Sequence, residues 1–330
     1  MVNKSHAVAL ALFCGLWGAN PCQAADYPAR PIRVITGYAQ GASADLGGRL
    51  FVEKLAARLN QAVIVENRVG VNEILALNAV AAAAPDGYTL IHTSSSVEML
   101  PALMKAFPFE LTKDFVPITT FAVGSTYSLV NVNSSARSLD DLVVQAKKSP
   151  GKLNFTAGTG YERLLTEFFK VLTGTVFEII PYKGSPTSLM ALRSGESHVA
   201  LGVSFPAAKP QVDSGALRFI ASTGKKRSAF TPDVPTMTES ALPEIRELGG
   251  VITGFWLGPM APAKTSPEII DLIYRATREI VKDPDFAKRI LGLGLEVETN
   301  PPTPEAHASA LGSNVSNIVR LARRAGIEPQ

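Results

Sequence analysis

Short apolar runs rich in branched residues alternate with longer helical patterns along the chain from Pro31 onward. This alternation is typical of parallel strands joined by helices that cover both faces of a sheet. The sequence therefore predicts the α/β class. Because 330 residues exceed what one compact core usually needs, we expect two lobes, each with its own sheet and core.

The predicted strands and helices fall into two groups along the chain. The predicted strands are Ile32–Thr36, Val63–Val65, Thr89–Ile91, Leu153–Thr156, Val176–Ile180, Val199–Val203, Leu217–Ala221 and Gly254–Leu257. The predicted helices are Asp45–Leu59, Leu75–Ala84, Leu139–Lys148, Glu162–Leu172, Ser188–Ser194, Ala207–Ser214, Pro267–Lys282, Asp285–Leu291 and Pro304–Ala325. We place the first crossing between lobes at Gly124 and Ser125. Residues 25–124 and 252–330 then form one lobe, and residues 125–251 form the other.

The first two dozen residues have the pattern of a secretory signal peptide. Lys4 and His6 precede an apolar stretch from Ala7 to Trp17, and small residues before Ala25 suit a cleavage site. That stretch is shorter than the roughly 20 residues of a transmembrane helix. We therefore assign residues 1–24 to a cleavable leader. Both cysteines fall inside it, so we expect no disulfide in the exported protein.

Small and hydroxyl residues occupy four of the predicted strand-to-helix turns. These turns are Gly41–Ser43, Thr93–Ser96, Gly158–Gly160 and Gly184–Ser185. In a parallel sheet, ligands bind beyond the carboxyl ends of the strands, where helix N-termini present free N–H groups and a partial positive charge. One such turn alone is also typical of any tight turn or helix cap. Four together, two in each lobe, predict a cleft that closes over an anion.

The sequence does not favour a nucleic-acid-binding protein or an enzyme. The net charge is only +3, and the basic residues are not gathered into runs. The sequence contains no Gly-x4-Gly-Lys-Ser/Thr loop, no metal-ligand spacing and no Gly-x-Ser-x-Gly elbow. His92 and Ser94 are neighbours on one loop, which does not suit a nucleophile and its base. We therefore expect a binding protein without cofactor or metal, in which His92 donates to the ligand.

Seven segments resemble the Bug receptors of tripartite tricarboxylate transporters in their order and spacing. They are Tyr27–Arg33 (YPARPIR), Val65–Arg68 (VENR), Ala84–Leu90 (APDGYTL), Pro150–Phe155 (PGKLNF), Pro181–Ser185 (PYKGS), Pro232–Thr236 (PDVPT) and Ala325–Ile327 (AGI). The resemblance covers essentially the whole chain after the leader and is specific as a set. It implies a two-lobed periplasmic binding protein of the type II topology, with parallel or mixed sheets and a cleft between the lobes.

The resemblance also implies a function. Bug receptors capture small carboxylate anions in the periplasm and deliver them to the membrane subunits of a secondary transporter, without catalysis. In that family one strand-to-helix loop from each lobe holds the carboxylate, and these loops correspond to Tyr38–Asp45 and Ala157–Arg163. We expect the protein to be a periplasmic monomer. The alternative partner that the sequence leaves open is a sensor kinase that reads the liganded receptor.

The predicted ligand contacts lie mainly in these loops and in the turns named above. They are Tyr38, Gly41, Ala42, Ser43, Asp45, His92, Thr93, Ser94, Thr156, Gly158, Thr159, Gly160, Tyr161, Arg163, Lys183, Gly184 and Ser204. Within Gly41–Asp45 (GASAD) we expect Ser43 to cap the next helix. Tyr38 stands where phenylalanine is common in the family. Its phenol has two alternative roles, a hydrogen bond at the cleft wall or packing under the loop.

Three further departures from the family pattern bear on the ligand. Glu73 replaces part of a glycine-rich stretch, and we expect a solvated residue in a first helical turn rather than a group that repels an anion. Arg163 could clamp a ligand carboxylate or pair with Glu167 on an exposed helix face. Val203–Ser204 lacks the aspartate that many relatives carry there, which predicts a carboxylate ligand without an amino group.

Overall fold

Twelve strands and twelve α-helices follow one another in a computed structural model that describes residues 27–70 and 73–328. The strands are β1 (Ile32–Thr36), β2 (Val63–Asn67), β3 (Thr89–Ser94), β4 (Phe115–Pro117), β5 (Ala122–Gly124), β6 (Thr126–Asn131), β7 (Asn154–Ala157), β8 (Glu178–Pro181), β9 (Val199–Ser204), β10 (Leu217–Ser222), β11 (Phe255–Pro262) and β12 (Glu296–Val297). The predicted leader and both cysteines lie outside the described residues.

The helices lie between these strands. They are α1 (Ser43–Leu59), α2 (Ile74–Ala81), α3 (Leu100–Leu103), α4 (Leu111–Asp114), α5 (Leu139–Lys148), α6 (Gly160–Thr173), α7 (Ser185–Ser194), α8 (Phe205–Asp213), α9 (Pro243–Val251), α10 (Pro267–Ile280), α11 (Pro284–Gly292) and α12 (Pro304–Arg324). Two 3₁₀ helices, Ser95–Met99 and Met237–Glu239, supplement them. The sequence pattern predicted neither the short elements α3, α4, α9 and β12 nor the strands β4, β5 and β6.

The strands form two separate mixed sheets, which confirms the predicted α/β class. The first sheet has the order β12-β5-β11-β3-β1-β2, with β4 also paired to β11. Its strands β1, β2 and β3 run parallel, and β11 runs antiparallel to β3. The second sheet has the order β10-β6-β9-β7-β8, with β7 parallel to both of its neighbours and β6 antiparallel to both of its own. We call the parts built on the two sheets lobe I and lobe II.

Aromatic side chains fill the cores of both lobes. In lobe I, α1 packs against α10 and α11, and Phe51 of α1 stacks on Phe121 with ring centroids 4.5 Å apart. In lobe II, Phe155 of β7 stacks on Phe177 with centroids 3.8 Å apart. Burying such rings contributes roughly 25 cal/mol per Å² of apolar surface, which makes these faces the main support of each sheet.

The last helix joins the two lobes. The N-terminal part of α12 packs near β4 and the first 3₁₀ helix, while its C-terminal part contacts α6 and α9. Ile318 and Leu321 are buried in the same cluster as Leu164 and Phe168 of lobe II. The division of the chain at residues 124 and 251 stays a proposal, and α12 belongs to the cores of both lobes.

Two local predictions were wrong for physical reasons. The third strand continues through His92 to Ser94, because β3 is central and pairs with β1 on one side and β11 on the other. This ladder keeps polar residues in the strand although their pattern predicted a turn. Ser43 is the first residue of α1 and does not cap it; Ala42 occupies the cap position, without a side-chain hydrogen bond.

Gly48 of α1 is needed for the close contact between that helix and β3. A Cβ atom at this position would lie 2.3 Å from Cδ2 of His92. The ring cannot easily retreat, because His92 Nε2 lies 2.8 Å from the Ala44 carbonyl oxygen. The absence of a side chain at Gly48 therefore sets the distance between helix and sheet.

We expect Gly48→Ala to lower the free energy of unfolding by about 1–3 kcal/mol through overpacking. The matched control is Gly250→Ala in α9, where a Cβ atom would meet nothing within 4 Å. That change should be neutral or stabilise by about 0.5–1 kcal/mol, since alanine is the better helix former. Urea unfolding followed by circular dichroism measures both. Equal stability of the two variants would contradict the packing argument.

Candidate ligand-binding site

The loop between β1 and α1 is held by the carboxylate of Asp45. This carboxylate accepts hydrogen bonds from Gly41 N at 2.9 Å, Arg49 Nε at 2.9 Å and Asn67 Nδ2 at 2.7 Å. Burial opposes ionisation, but these three donors outweigh it and hold the pKa of Asp45 below its ordinary value. Asn67 also donates to the Tyr38 carbonyl oxygen at 2.9 Å, so both ends of the loop are tied down.

The loop between β7 and α6 has the same device in lobe II. Glu162 lies in the first turn of α6 and is 1% exposed. It accepts hydrogen bonds from Gly158 N at 2.6 Å and from Ser185 Oγ at 2.5 Å. Burial raises the pKa of Glu162, and the hydrogen bonds offset only part of this effect. Thr159 caps α6 by accepting from Glu162 N at 3.1 Å.

Both carboxylates accept hydrogen bonds from the protein itself. Each accepts an N–H from the glycine four residues earlier, and each has a further side-chain donor: Asn67 at the end of β2 for Asp45, and Ser185 at the start of α7 for Glu162. Neither is therefore free to attract a ligand cation. These hydrogen bonds hold the loops so that the first N–H groups of α1 and α6 point out of the helix ends. The partial positive charge there favours an anion.

A third buried acid, Glu73, lies behind the end of β3. Its two oxygens accept from Ser96 Oγ at 2.5 Å and from Thr93 Oγ1 at 3.0 Å. Glu73 has a left-handed backbone conformation with φ of 70°. Its side chain fits only because Gly37 has none, since a Cβ there would lie 2.6 Å from Glu73 Cγ. Glu73 is 8% exposed, so the prediction of a solvated residue was wrong; burial raises its pKa.

A cavity of about 260 Å³ opens between the lobes. It is lined by Ser94, Ser95, Ser96, Met99, Thr126, Thr159, Tyr161, Glu162, Ser185, Gly202, Ser204 and Phe255. Lobe I contributes the end of β3, and lobe II contributes the N-termini of α6 and α7. Hydroxyl groups dominate this list, and none of these described lining residues is a lysine or an arginine. The cavity therefore offers neutral donors and helix ends instead of a cation.

Four of the predicted contacts line this cavity: Ser94, Thr159, Tyr161 and Ser204. The hydroxyl of Tyr161 lies 3.1 Å from Thr126 Oγ1, and burial raises its pKa to about 12, so it remains a neutral hydrogen-bonding group. Ser43 lines a neighbouring, wider cavity of about 580 Å³ together with Phe205 and Pro206 of lobe II.

Other predicted residues form the frame behind the cavity. Tyr38 donates to Ser94 Oγ at 2.7 Å and so supports a lining residue from behind. His92 and Thr93 are buried, and Thr156 is fully buried in β7. Burial lowers the pKa of His92 to about 4, so this ring is neutral and holds the Ala44 carbonyl rather than lying at the cavity.

The remaining predicted contacts are turn residues or lie on the surface. Gly41 and Ala42 form the exposed turn that leads into α1, and Gly160 begins α6. Gly158 and Gly184 pack on each other, since a Cβ at Gly158 would lie 2.6 Å from Gly184 C. The structure does not bring Arg163 or Lys183 to the cavity. Both are exposed, and among the described residues Arg163 has no ion pair with Glu167.

Sequence reasoning missed several lining residues. Ser95, Ser96 and Ser185 belong to turns that the sequence singled out, so composition had already marked them. Met99 and Phe255 carry no such signal, because only the meeting of the two lobes places them at the cavity. The same is true of Glu73, whose role depends on a contact with the end of β3.

A larger cavity of about 490 Å³ lies behind the segments that connect the lobes. Its lining includes the carboxyl groups of Glu98, Glu296 and Glu298, together with Lys225 and Lys226. Burial raises the pKa of Glu98 to about 7. Charged side chains of both signs therefore line this cavity, unlike the hydroxyl groups and helix ends that line the cavity between the lobes.

Within residues 27–70 and 73–328, no cluster of three or more His, Cys, Asp or Glu side chains is arranged to hold a metal ion. None of the helices in these ranges combines the length and apolar character that a bilayer-spanning helix requires.

Two mixed α/β lobes with helix N-termini facing a shared cavity define a solute-binding protein of the periplasmic type. A family profile described as "Tripartite tricarboxylate transporter family receptor" matches residues 48–304. The chain belongs to this receptor family. It is a solute receptor and not an enzyme, in keeping with the binding proteins it resembles.

Relatives and solved structures support this assignment. Protein BugT of Bordetella pertussis is 35% identical over 269 residues, which are 80% of this chain and 80% of BugT. The periplasmic binding protein BugD is 26% identical, with a TM-score of 0.69, and the match covers 92% of this chain and all of BugD. An R. palustris protein solved with adipate is 25% identical, with a TM-score of 0.70 and coverage of 92% and 100%.

Asp45 holds the lobe I loop in place. We expect Asp45→Ala to lower the free energy of unfolding by about 2–4 kcal/mol, because Gly41 N and Arg49 lose their hydrogen-bond acceptor. The control is Asp271→Ala, which removes an i,i+4 pair with Arg275 whose side chains are 49% and 75% exposed; we expect less than about 1 kcal/mol there.

The pH dependence of this difference is a second check. A carboxyl whose folded pKa is lowered stabilises the protein above its unfolded pKa of about 4 and loses that contribution as the pH falls through the folded pKa. The gap between wild type and Asp45→Ala should therefore be full at neutral pH and shrink below about pH 4. Equal effects of the two substitutions in urea unfolding would refute the role of Asp45.

Proposed function

We propose that this receptor captures a small carboxylate anion in the cavity between its lobes. The observation that carries the proposal is the lining itself: hydroxyl groups and the N-termini of α6 and α7 surround the cavity, and both oxygens of its one carboxylate, Glu162, accept hydrogen bonds from the protein. Helix N-termini and hydroxyl groups bind carboxylates through directed hydrogen bonds. The adipate that accompanies the R. palustris relative supports a carboxylate of this size.

The lining also supports a ligand without an amino group. A ligand ammonium needs a carboxylate as its partner, and both oxygens of Glu162 already accept hydrogen bonds from the protein. Many of the Bug receptors that the sequence resembles carry an aspartate at the end of this strand, where Val203 is here fully buried and apolar. We therefore expect plain mono- or dicarboxylates to bind more tightly than aspartate or glutamate.

Membership of the receptor family supports the remaining steps of the proposal. The protein is exported to the periplasm after removal of residues 1–24, closes its lobes over the anion as a monomer, and delivers it to the membrane subunits of a secondary transporter. Binding drives closure because the second lobe completes the coordination only in the closed form. Loss of carboxylate uptake in cells that lack the gene, restored by the full-length chain, tests the delivery step.

A thermal-shift screen with mono-, di- and tricarboxylates, aromatic acids and amino acids tests the ligand class. A carboxylate at 100 times its Kd should stabilise the protein by about 2.7 kcal/mol and raise the melting temperature. Small-angle scattering of the complex should show a smaller radius of gyration. If no carboxylate shifts the melting temperature at millimolar concentration, or an amino acid gives the largest shift, the proposed ligand class is wrong.

Two substitutions separate lining residues from surface residues. The hydroxyl of Ser95 lines the cavity and has no hydrogen-bond partner among the described residues, so Ser95→Ala should weaken binding about 5- to 10-fold with little effect on stability. Arg163 is exposed and lies outside the lining, so Arg163→Ala should change affinity by less than about twofold. Titration calorimetry with adipate measures both. A larger loss for Arg163→Ala than for Ser95→Ala would reverse the assignment.

A further inference from the structure

A directed chain of hydroxyl groups links the cavity wall to Glu73. Tyr38 donates to Ser94 Oγ at 2.7 Å, Ser94 Oγ and Ser96 Oγ are 2.7 Å apart, and Ser96 Oγ donates to Glu73 at 2.5 Å. Ser94 and Ser96 line the cavity, whereas Tyr38 and Glu73 lie behind them. The chain therefore connects a group that can carry a proton with the surface that meets the ligand.

Counting protons shows which way these hydroxyl groups point when Glu73 is ionised. A carboxylate only accepts, so the single hydroxyl proton of Ser96 is committed to Glu73. The contact between Ser94 and Ser96 must then use the proton of Ser94. Ser94 Oγ in turn accepts the Tyr38 hydroxyl and the N–H of Ser96, the latter at 3.1 Å. Every hydroxyl proton in the chain points toward Glu73, so Ser94 Oγ has both lone pairs occupied and Ser96 Oγ can offer the cavity only a lone pair.

When Glu73 is ionised, the cavity wall at Ser94 and Ser96 therefore does not suit an anionic ligand. A ligand carboxylate needs donors, but Ser94 has no free proton to donate and the remaining lone pair of Ser96 Oγ repels the ligand. Turning either hydroxyl toward the ligand would break a hydrogen bond inside the chain. A buried acceptor left without its donor is unfavourable, because it has lost its hydrogen bonds to water without a replacement.

One proton on Glu73 removes this conflict. A protonated carboxyl donates to Ser96 Oγ, and Ser96 then turns its own proton into the cavity toward the ligand. The bonds from Tyr38 to Ser94 and from Ser94 to Ser96 are unchanged, so every group stays satisfied. Thr93 continues to donate to the other oxygen of Glu73. The proton taken up at Glu73 becomes, in effect, one additional hydrogen-bond donor at the ligand.

The surroundings of Glu73 favour protonation. In the described part of the chain its partners are hydroxyl groups, and no lysine or arginine is paired with it. The titratable or charged groups on the elements around α2 are engaged elsewhere: Arg33 with Glu66, His92 with the Ala44 carbonyl, and Glu98 with Trp256 and Asn314. The Tyr38 phenol stays protonated, since burial raises its pKa.

We propose that Glu73 takes up a proton when a carboxylate binds, so that this receptor captures its ligand together with a proton. The inference rests on the proposed function, because it presumes a carboxylate in the cavity. It makes Glu73 a positioning residue, which acts on the ligand through Ser96 without touching it.

Titration calorimetry with adipate at pH 7.5, in buffers of different ionisation enthalpy, measures the protons taken up. We expect an uptake approaching one proton per adipate in the wild type, and a Kd that rises by up to about tenfold per pH unit as the pH increases above neutrality. Glu73→Gln should bind adipate without proton uptake and with little pH dependence, because its amide donates to Ser96 and its carbonyl accepts from Thr93. Glu178→Gln, an exposed change in β8, is the control and should behave like the wild type.

Infrared difference spectra provide a second readout, which detects the protonated carboxyl group itself. Addition of adipate should produce the band of a protonated carboxyl group, and that band should be absent in Glu73→Gln. Tight adipate binding with proton uptake equal to that of Glu73→Gln would overturn the inference while leaving the proposed function intact. If adipate and the other carboxylates of the screen fail to raise the melting temperature, both the inference and the proposed function fall.

Discussion

Each lobe depends on a carboxylate in the first turn of a helix that ties back the loop before that helix. Asp45 in lobe I and Glu162 in lobe II both accept the N–H of the glycine four residues earlier. In each lobe a second side chain bonds the same carboxylate: Asn67 at the end of β2 in lobe I, and Ser185 at the start of α7 in lobe II. These bonds couple loop, helix and sheet edge, and they fix the direction in which the helix N-termini face. The rest of the site depends on the direction of these helix N-termini.

The same bonds decide the charge of the cleft. Asp45 is balanced by the charge of Arg49, whereas Glu162 accepts only neutral donors, and the described lining of the cavity contains no lysine or arginine. The attraction for an anion then comes from helix ends and hydroxyl groups. Their hydrogen bonds are directional, so the affinity depends on the shape of the ligand. The cavity behind the connecting segments differs, since charged side chains of both signs line it.

Hydroxyl groups have a property that a lysine would not have, because their direction depends on their neighbours. In lobe II, Ser185 is committed to Glu162, whereas Thr159 accepts from the backbone and keeps its proton free. In lobe I the direction of the Ser94–Ser96 pair is set from behind by Glu73. Buried acids that do not contact the ligand therefore set the direction of the hydroxyl protons in this cavity. The two lobes use this arrangement differently.

The order of strands and helices, the α/β class and the two lobes followed from the sequence, because periodic burial leaves a regular pattern of apolar residues. The turns at Gly158–Gly160 and Thr93–Ser96 were also readable, since their small and hydroxyl residues mark the ends of strands. The sequence could not show that His92 turns inward, that Arg163 faces solvent or that Glu73 is buried. Those outcomes depend on contacts between residues far apart in the chain, such as Gly37 beside Glu73, and only the packing of helices on the sheets brings such residues together.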